Sequence, residues 1–328
     1  MTHPLAQSPA PLPRLPVVDL GGMPARGDAA RLCIAQAMDA ACRDPGFLLI
    51  TGHGIPAELF ERAFAASRQF FARPLAEKSR VAIEHSPVHR GWFELGRENL
   101  DPGTQKSGGD LKEGIKIGRD LPPDHPLVVA GVPLHGPNQW PEGIPGFREV
   151  WTEYHARLTA LGRELMSCFA LALGLPPEHF DPFLDQPMTT AGPLRYPPFI
   201  SGGDRLSAGA HTDYGCLTLL AQHELPGLEV LARDGTWYSV PVVQGALVVN
   251  VGDMLARWTN DRYASTVHRV VNRSARERYS IPFFYDPNHD TPVACLPSCL
   301  APGERPRYAP TTALAHLQEK IALAFGPG

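Results

Sequence analysis

Two histidines and one aspartate stand at spacings that would let them share a metal ion. His211 and Asp213 flank one residue in the segment AGAHTDYGCLTLL, at the entry to an apolar β run. On a strand, residues i and i+2 project from the same face, so this imidazole and carboxylate can bind one ion. His268, in the strand-like segment STVHRVVN, supplies a third ligand from a facing strand. Two imidazoles and one carboxylate on one face of an octahedral metal leave three open positions, a donor set typical of redox-active Fe(II).

Arg278 and Ser280 form a second pair at the same spacing, at the start of the apolar segment RYSIPFFY. An inward guanidinium in a β barrel is costly unless a carboxylate pairs with it. If a ligand supplies that carboxylate, Arg278 can hold it through two hydrogen bonds and Ser280 can add a third. An Asp or Glu of the protein is the alternative partner, but the three metal ligands upstream favour a bound carboxylate.

The elements that must position these side chains fall into a helical half and a stranded half. Apolar periodicity predicts helices over 28–44, 56–72, 146–173 and 311–325, and strands at 46–55 and repeatedly after residue 187. Many short strands in series, with helices gathered in the first half, favour an all-β core with helices. The expected form is a jelly roll supported by a helical N-terminal half.

The composition excludes several classes of protein. The 328 residues include 30 Lys and Arg against 34 Asp and Glu, and the net charge of −4 offers no basic surplus for nucleic acid or anionic lipid. The sequence contains no run of about 18 apolar residues, the length needed to span a membrane. The segment MTHPLAQSPAPLPRLP lacks the charged and apolar regions of a secretory signal, and the six cysteines form no dense framework. We therefore expect a cytoplasmic protein with reduced thiols and no nucleic-acid or membrane partner.

Taken together, these motifs mark the chain as similar to a known family. The segments LPVVDL, GFLLITGHGI, RGW, LRYPP, AHTDYGCLTLL, GLEVL, VNVGDML, STVHRVVN and RERYSIPFFY cover most of residues 14–325. They resemble the isopenicillin N synthase-like group of Fe(II)/2-oxoglutarate-dependent oxygenases. The resemblance implies a double-stranded β-helix. A mainly helical region at 14–180, a jelly-roll core at 181–300 and a C-terminal helix and tail at 301–328 would form one compact unit, and the Pro-rich residues 1–13 are expected to be disordered.

The resemblance also implies cofactors and a reaction. The two histidines and the aspartate would bind Fe(II), and no catalytic residue beyond these metal ligands is implied. Arg278 and Ser280 would bind the distal carboxylate of 2-oxoglutarate, which Tyr196 in LRYPP would also contact. A dioxygenase of this kind consumes O2, releases succinate and CO2, and hydroxylates, desaturates or cyclises a small organic molecule.

Residues that could bind the substrate carry a weaker signal. Arg90, Trp92, Lys112 and Lys116 lie in the Pro- and Gly-rich stretch 84–144, which predicts a long irregular segment. In the family such a segment often folds over the mouth of the barrel, although solvated loop charges are the usual alternative.

Two further candidates lie near the predicted co-substrate residues. Arg195, beside Tyr196, would bind a substrate anion or face solvent. By strand alternation either Phe283 or Phe284 faces inward, and Phe284 is taken as a wall of the substrate pocket.

Other functions stay open at this point. Isopenicillin N synthase and aminocyclopropane-carboxylate oxidase keep the Arg-x-Ser pattern without using 2-oxoglutarate, so an oxidase driven by O2 alone is one alternative. A non-redox jelly-roll protein that holds zinc, as an isomerase, a hydrolase or a binding module, is another, but it leaves Arg278 and Ser280 without a role. The chain also resembles the ethylene-forming enzyme in HTDYG and LHGPNQWP, but Ser280 departs from that enzyme and argues against its reaction. The pattern predicts no particular oligomeric state.

Overall fold

The computed structural model of the protein describes residues 9–13, 15–25, 27–105, 108–198 and 206–325. Of the N-terminal segment expected to be disordered, residues 1–8 lie outside the described residues. Pro11 forms a bridge to Ser239, and the Leu12 amide donates to the Ser239 carbonyl at 3.0 Å. The end of this segment is therefore ordered against a strand of the core.

The helices begin and end close to the predicted positions. Asp28 caps the first helix by accepting a hydrogen bond from the Ala30 amide at 2.8 Å, and Pro56 directly precedes the second. No helix of the described residues is long and apolar enough to cross a membrane. In chain order the helices are α1 (Ala29–Arg43), α2 (Ala57–Phe71), α3 (Leu75–Lys78), α4 (Pro126–Val129), α5 (Phe147–Ala172), α6 (Asp253–Trp258) and α7 (Ala313–Phe325).

The strands fall mainly in the second half of the chain, as predicted. In chain order they are β1 (Val17–Asp19), β2 (Phe47–Thr51), β3 (Gly91–Phe93), β4 (Glu113–Gly118), β5 (Met188–Ala191), β6 (Leu194–Tyr196), β7 (Ala208–His211), β8 (Leu217–Gln222), β9 (Leu228–Leu231), β10 (Trp237–Ser239), β11 (Leu247–Val251), β12 (His268–Val270), β13 (Arg278–Asp286), β14 (Pro292–Val293) and β15 (Thr311–Thr312).

Two sheets form the core and face each other. Within the described residues, the larger sheet has the order β1-β2-β11-β8-β13-β5-β4-β3, and β6 pairs with both β13 and β4. The smaller sheet has the order β10-β9-β12-β7. Buried residues of both sheets, including Phe47 and Val248 of the larger and Leu228 and Val270 of the smaller, pack into one apolar cluster between them. This is the jelly-roll core supported by helices that the sequence predicts.

Side chains of the larger sheet alternate between two environments. On one face, Tyr279, Ile281, Phe283 and Tyr285 of β13 are buried in the main core. There the ring of Phe283 contacts that of His155 on the long helix α5, with 5.4 Å between centroids. The alternate residues of β13 line a cavity between the sheets: Arg278, Ser280, Pro282, Phe284 and Asp286.

The stretch 84–144 is more ordered than its composition predicts. It contributes β3 and β4, and β4 extends the larger sheet by pairing with β5. In β4, Ile115 and Ile117 are buried in the main core, whereas Lys116 between them lines the cavity. A lysine on a cavity wall interrupts the apolar pattern that identifies strands, and the surrounding Pro and Gly residues are typical of loops. The irregular segment predicted here is therefore only partly correct.

The packing of α5 on β13 predicts a sensitive position at Gly162. A Cβ atom placed there would lie 2.6 Å from Cδ2 of the buried Tyr285 ring. Alanine favours helices by about 1 kcal/mol over glycine. Overpacking a core costs about 1–3 kcal/mol, so we expect Gly162→Ala to lower the free energy of unfolding by roughly 1 kcal/mol. Urea-induced unfolding followed by circular dichroism measures this change.

Gly27→Ala is the matched control, because a Cβ at Gly27 would meet no atom within 4 Å. This variant should keep or slightly raise the free energy of unfolding, since alanine restricts the unfolded chain more than glycine does. Equal stability of the Gly162→Ala variant and the control would contradict the tight contact between α5 and β13.

Candidate active site

Three potential metal ligands meet at the edge of the smaller sheet. His211 ends β7, His268 begins β12, and the two residues are directly paired in the antiparallel ladder, with ring centroids 4.3 Å apart. Asp213 follows β7, and its Oδ1 lies 3.8 Å from Nε2 of His211 and 3.6 Å from Nε2 of His268. The ligand atoms all lie within 4.8 Å of one another, close enough to share one ion. We call His211, Asp213 and His268 the metal triad.

Two details of the metal triad differ from the expected strand geometry. The histidines lie on neighbouring strands of one sheet rather than on facing strands, and Asp213 lies beyond the end of β7. The i, i+2 rule for strands therefore does not set the direction of this carboxylate.

Two hydrogen bonds direct the carboxylate instead. Oδ2 of Asp213 accepts from Oγ1 of Thr218 at 2.5 Å and from Nδ2 of Asn250 at 2.7 Å. Thr218 on β8 and Asn250 on β11 are direct partners in the larger sheet. Because both donors bind Oδ2, Oδ1 stays available for a metal beside the imidazoles.

Each histidine of the triad is oriented through its other ring nitrogen. Nδ1 of His211 lies 2.7 Å from the Gly209 carbonyl oxygen, and Nδ1 of His268 lies 3.1 Å from that of Thr266. A carbonyl oxygen only accepts, so Nδ1 carries the proton and Nε2 of the neutral ring presents a lone pair. Both Nε2 atoms lie near the Asp213 carboxylate. The hydrogen bonds at Nδ1 therefore hold both imidazoles in an orientation that suits a shared metal ion.

The protonation states of the triad suit a cation. Burial, followed by the neighbouring His268, lowers the pKa of His211 to about 4. Burial opposes ionisation of Asp213, but the two imidazoles and the hydrogen bonds from Asn250 and Thr218 outweigh it and lower the pKa below 3.8. At neutral pH, His211 is therefore a neutral imidazole and Asp213 a carboxylate, the forms that bind a divalent metal.

Arg278 places a buried guanidinium in the same cavity. The residue is 1% exposed, and its Nε and Nη2 donate to the Leu225 carbonyl and to Oε1 of Gln222, each at 3.2 Å. Nη1 has no acceptor, and no carboxylate of the described residues pairs with the guanidinium. Burial lowers the pKa of Arg278 below its ordinary value. Because an unpaired buried charge is costly, this side chain fits the carboxylate of a bound ligand such as 2-oxoglutarate.

Tyr196 and Ser280 complete this second cluster. Tyr196 on β6 pairs with Arg278 in the ladder, and the Arg278 guanidinium carbon lies 4.9 Å from the centre of the tyrosine ring. Oγ of Ser280 lies 3.4 Å from Oη of Tyr196, to which it donates. The structure thus brings together the three residues predicted to bind the co-substrate, and we call them the carboxylate site.

The cavity between the sheets joins the metal triad to the carboxylate site. Its wall is largely apolar, but one end carries charged side chains from β4 and the loops beside it. Residues Leu317 and Ile321 of α7 also line the cavity. The cavity is further lined by Arg90, Phe93, Glu98, Lys112, Lys116, Thr190, Phe284 and Asp286. Of the residues predicted to bind the substrate, Arg90 and Phe284 therefore lie at the cavity, as do both lysines.

Trp92 and Arg195 lie elsewhere, which corrects the expectation that they contact the substrate. In β6, Tyr196 faces the cavity, so Arg195 beside it faces the opposite side of the sheet. There Arg195 forms ion pairs with Glu113 and Glu277. The indole Nε1 of Trp92 donates to Oε2 of Glu113 at 2.8 Å. Both side chains therefore contact Glu113 on the face of the larger sheet opposite the cavity.

Sequence reasoning missed three polar residues around the metal triad. Thr218 and Asn250 hold the Asp213 carboxylate, as described above. Asp286 accepts a hydrogen bond from the Cys216 amide at 2.8 Å and so holds the turn after Asp213, and burial raises the pKa of Asp286 to about 7. Each of the three is a polar residue in an otherwise apolar strand, and this interruption of the pattern is the signal that could have found them.

Comparison with known families covers both halves of the chain. The family described as non-haem dioxygenase in morphine synthesis, N-terminal, matches residues 15–143. The 2OG-Fe(II) oxygenase superfamily matches residues 177–287, which include the metal triad and the carboxylate site.

Individual relatives agree with the family matches. The 2-oxoglutarate-Fe(II) type oxidoreductase hxnY of Emericella nidulans is 41% identical over 304 residues, covering 90% of this chain and 86% of the relative. Clavatol oxidase claD of Penicillium crustosum is 36% identical over 312 residues, covering 90% and 92%. The crystal structure of a full-length Neurospora crassa protein in complex with alpha-KG and thymine superimposes with a TM-score of 0.82 at 30% identity, covering 94% of this chain and 97% of that one.

These findings decide between the functions that the sequence left open. The relative hxnY is named for 2-oxoglutarate and Fe(II), the matching superfamily is described by the same two groups, and a solved neighbour holds that co-substrate. The chain belongs to the 2OG-Fe(II) oxygenase superfamily and is an enzyme that oxidises a small molecule with Fe(II), 2-oxoglutarate and O2.

Proposed function

We propose that the metal triad binds the Fe(II) ion and that the carboxylate site binds the distal carboxylate of 2-oxoglutarate. The observation that carries this proposal is the buried guanidinium of Arg278, whose Nη1 lacks an acceptor and which faces the same cavity as the triad. A dicarboxylate can satisfy this donor with one end and reach the metal with the other. The family matches support the identity of both groups, and the shared cavity supports the choice of these residues.

The residues of the chain have separate tasks in this reaction. Bound Fe(II) supplies the redox chemistry with O2. The imidazoles of His211 and His268 and the Asp213 carboxylate fix the ion at the cavity wall. Thr218 and Asn250 hold the carboxylate in one orientation, which keeps Oδ1 directed at the ion. The apolar wall and the residues of α7 that line the cavity limit access of water to the reacting groups.

The prime substrate is proposed to be a small organic molecule with an apolar body. It would lie in the part of the cavity lined by Phe93, Thr190 and Phe284, next to the metal triad. The solved neighbour with thymine and the relative named clavatol oxidase support a compact substrate. A net charge of −4 supports such a molecule over a nucleic acid.

We also propose that the chain works as one unit in the cytoplasm, within the isopenicillin N synthase-like group. The proposed division at residues 180 and 300 separates segments that share one cavity, since Arg90, Arg278 and Leu317 all line it. In the described part of the chain no disulfide joins the cysteines, as expected for a reducing compartment.

Fe(II) and 2-oxoglutarate bound together should give a visible charge-transfer band, and Arg278→Ala should move its appearance to at least about 30-fold higher concentrations of 2-oxoglutarate. The variant loses the charged donor for the distal carboxylate, and truncation of a buried charge pair costs about 2–5 kcal/mol, or at least about 30-fold in affinity. The measurement is an anaerobic titration of the Fe(II)-loaded protein with 2-oxoglutarate, followed in the visible spectrum.

Arg276→Ala is the matched control, because Arg276 lies two residues earlier and its side chain is 66% exposed. It should keep the band at the wild-type concentration of 2-oxoglutarate. A band that Arg278→Ala leaves unchanged would remove the carboxylate site from the proposal. If the wild-type protein does not bind Fe(II), or if His268→Ala binds it as tightly as the wild type, the proposal that the metal triad binds Fe(II) is wrong.

Thr218→Val should weaken Fe(II) binding by about tenfold or more, the effect of losing an outer hydrogen bond to a metal ligand. Valine has the shape of threonine but cannot donate to Oδ2 of Asp213, so the carboxylate is left with Asn250 alone. Competition with a chromophoric chelator measures the affinity. Thr190→Val is the control on the same cavity face, and equal affinities of the two variants would contradict the assigned role of Thr218.

A further inference from the structure

One row of paired residues crosses the cavity face of the larger sheet, starting at the metal triad. Asn250 pairs with Thr218, Thr218 with Phe284, Phe284 with Thr190, and Thr190 with Gly118. The first two residues hold the Asp213 carboxylate, and the next two line the substrate part of the cavity. Neighbouring strands lie about 4.8 Å apart, so Gly118 is about 14 Å from Thr218. We call the part of the cavity along this row the substrate chamber, and its length is about that of the row.

The guanidinium of Arg90 lies at the far end of this row. It packs directly on Gly118, where any Cβ atom would clash with it. Nη2 of Arg90 donates to the Leu134 carbonyl at 2.9 Å, and Nη1 makes only long contacts of 3.4 and 3.5 Å to the carbonyls of Val88 and His89. Nε is buried without an acceptor. The guanidinium at the end wall of the chamber thus keeps one N–H group that has no acceptor in the protein.

The charge of Arg90 has no acidic partner among the described residues, although the residue is only 5% exposed. Nearby carboxylates pair with other cations. Lys112 lies 2.8 Å from Oε2 of Glu98 and 2.6 Å from Oδ2 of Asp110, and Lys116 lies 3.4 Å from Oε1 of Glu98. These carboxylates are therefore already paired with the two lysines, and neither forms an ion pair with the Arg90 guanidinium.

The protonation states agree with this pairing. Burial opposes ionisation of Glu98, but Lys112 and Lys116 outweigh it and lower its pKa to about 2. Burial, and then the charges of Lys116 and Arg90, lower the pKa of His89 to about 3, so His89 adds no charge at neutral pH. Burial lowers the pKa of Arg90 only to about 10, and the guanidinium stays charged.

We propose that the prime substrate carries a carboxylate, which Arg90 binds at the end of the chamber opposite the metal triad. The apolar body of the substrate would lie along Phe284 and Thr190, and the carbon to be oxidised would reach the metal about one chamber length away. An unpaired buried guanidinium lowers stability, and a bound carboxylate would supply its missing counter-charge. This inference rests on the proposed function and names the substrate class of the same site.

The test uses a series of carboxylic acids and their amides as probes. Phenylacetate, 3-phenylpropionate, 4-phenylbutyrate and 5-phenylpentanoate, each with its primary amide, are titrated by anaerobic calorimetry into protein saturated with Fe(II) and 2-oxoglutarate. At least one acid should bind about tenfold or more tightly than its amide, the effect of a hydrogen bond to a charged group. Arg90→Gln should reduce this preference to about one and leave the affinity for the amide unchanged.

Two further variants separate binding by Arg90 from a structural role. Gly118→Ala keeps the charge but displaces the guanidinium, and it should also reduce the preference for the acid. Arg148→Gln removes an arginine whose side chain is 65% exposed and should keep the preference. If Arg90 were structural, Arg90→Gln would lower the thermal unfolding midpoint and weaken acid and amide alike, and that result overturns the proposal.

Other results of the same titrations would also contradict the inference about the substrate. A wild-type protein that binds no acid more tightly than its amide, or an acid preference that survives Arg90→Gln, overturns the inference about the substrate. The band that requires Fe(II) and 2-oxoglutarate is recorded for the same samples. If the band is intact while the acid preference is missing, only this inference fails, whereas loss of the band in the wild-type protein overturns the proposed function itself.

Discussion

The alternation of side chains across the larger sheet is the constraint on which the rest of the structure depends. One face is buried against α5 and the main core, and the other faces the cavity, so the parity of a residue on β13 decides whether it can meet a ligand. A slip of one residue would carry Arg278 to the α5 side and bring Tyr279 into the cavity. The close approach of Gly162 to Tyr285 opposes such a slip, because the ring fits only where α5 has no side chain. The strand register that packs the core therefore also determines which side chains of β13 face the cavity.

The metal triad depends on both sheets at once. The two histidines come from paired strands of the smaller sheet, whereas the donors that hold Asp213 come from paired strands of the larger sheet. A metal bound at the triad would therefore be held by residues of the smaller sheet and of the loop after β7, while the larger sheet orients one of its ligands. Since a ligand that binds only the folded state stabilises it by mass action, such a metal should also raise the free energy of unfolding.

Buried charges of the cavity fall into two kinds. Lys112 is neutralised by Glu98 and Asp110, and this cluster is satisfied within the protein. Arg278 and Arg90 have no acidic partner in the described part of the chain, and each keeps a buried N–H without an acceptor. Unpaired buried charge reduces the free energy of unfolding. Both arginines therefore lower the stability of the ligand-free protein, and a bound anion would restore it. One guanidinium lies beside the predicted co-substrate position and the other closes the far end of the chamber, about 14 Å across the strands from Thr218.

The sequence by itself determined the fold class and the chemistry of the centre, because both depend on residue types in local patterns. Apolar periodicity predicted the long helices and the strand series, and the spacing of His211, Asp213, His268, Arg278 and Ser280 singled out residues that the structure brings to one cavity. Only the tertiary structure decided which of the remaining polar residues face that site. Arg195 and Trp92 looked as suitable as Arg90, but strand parity places them with Glu113 on the face of the larger sheet opposite the cavity. Thr218, Asn250 and Gly118 became meaningful only through pairing between strands distant in sequence, since register is fixed by packing over the whole sheet and not by any local run of residues.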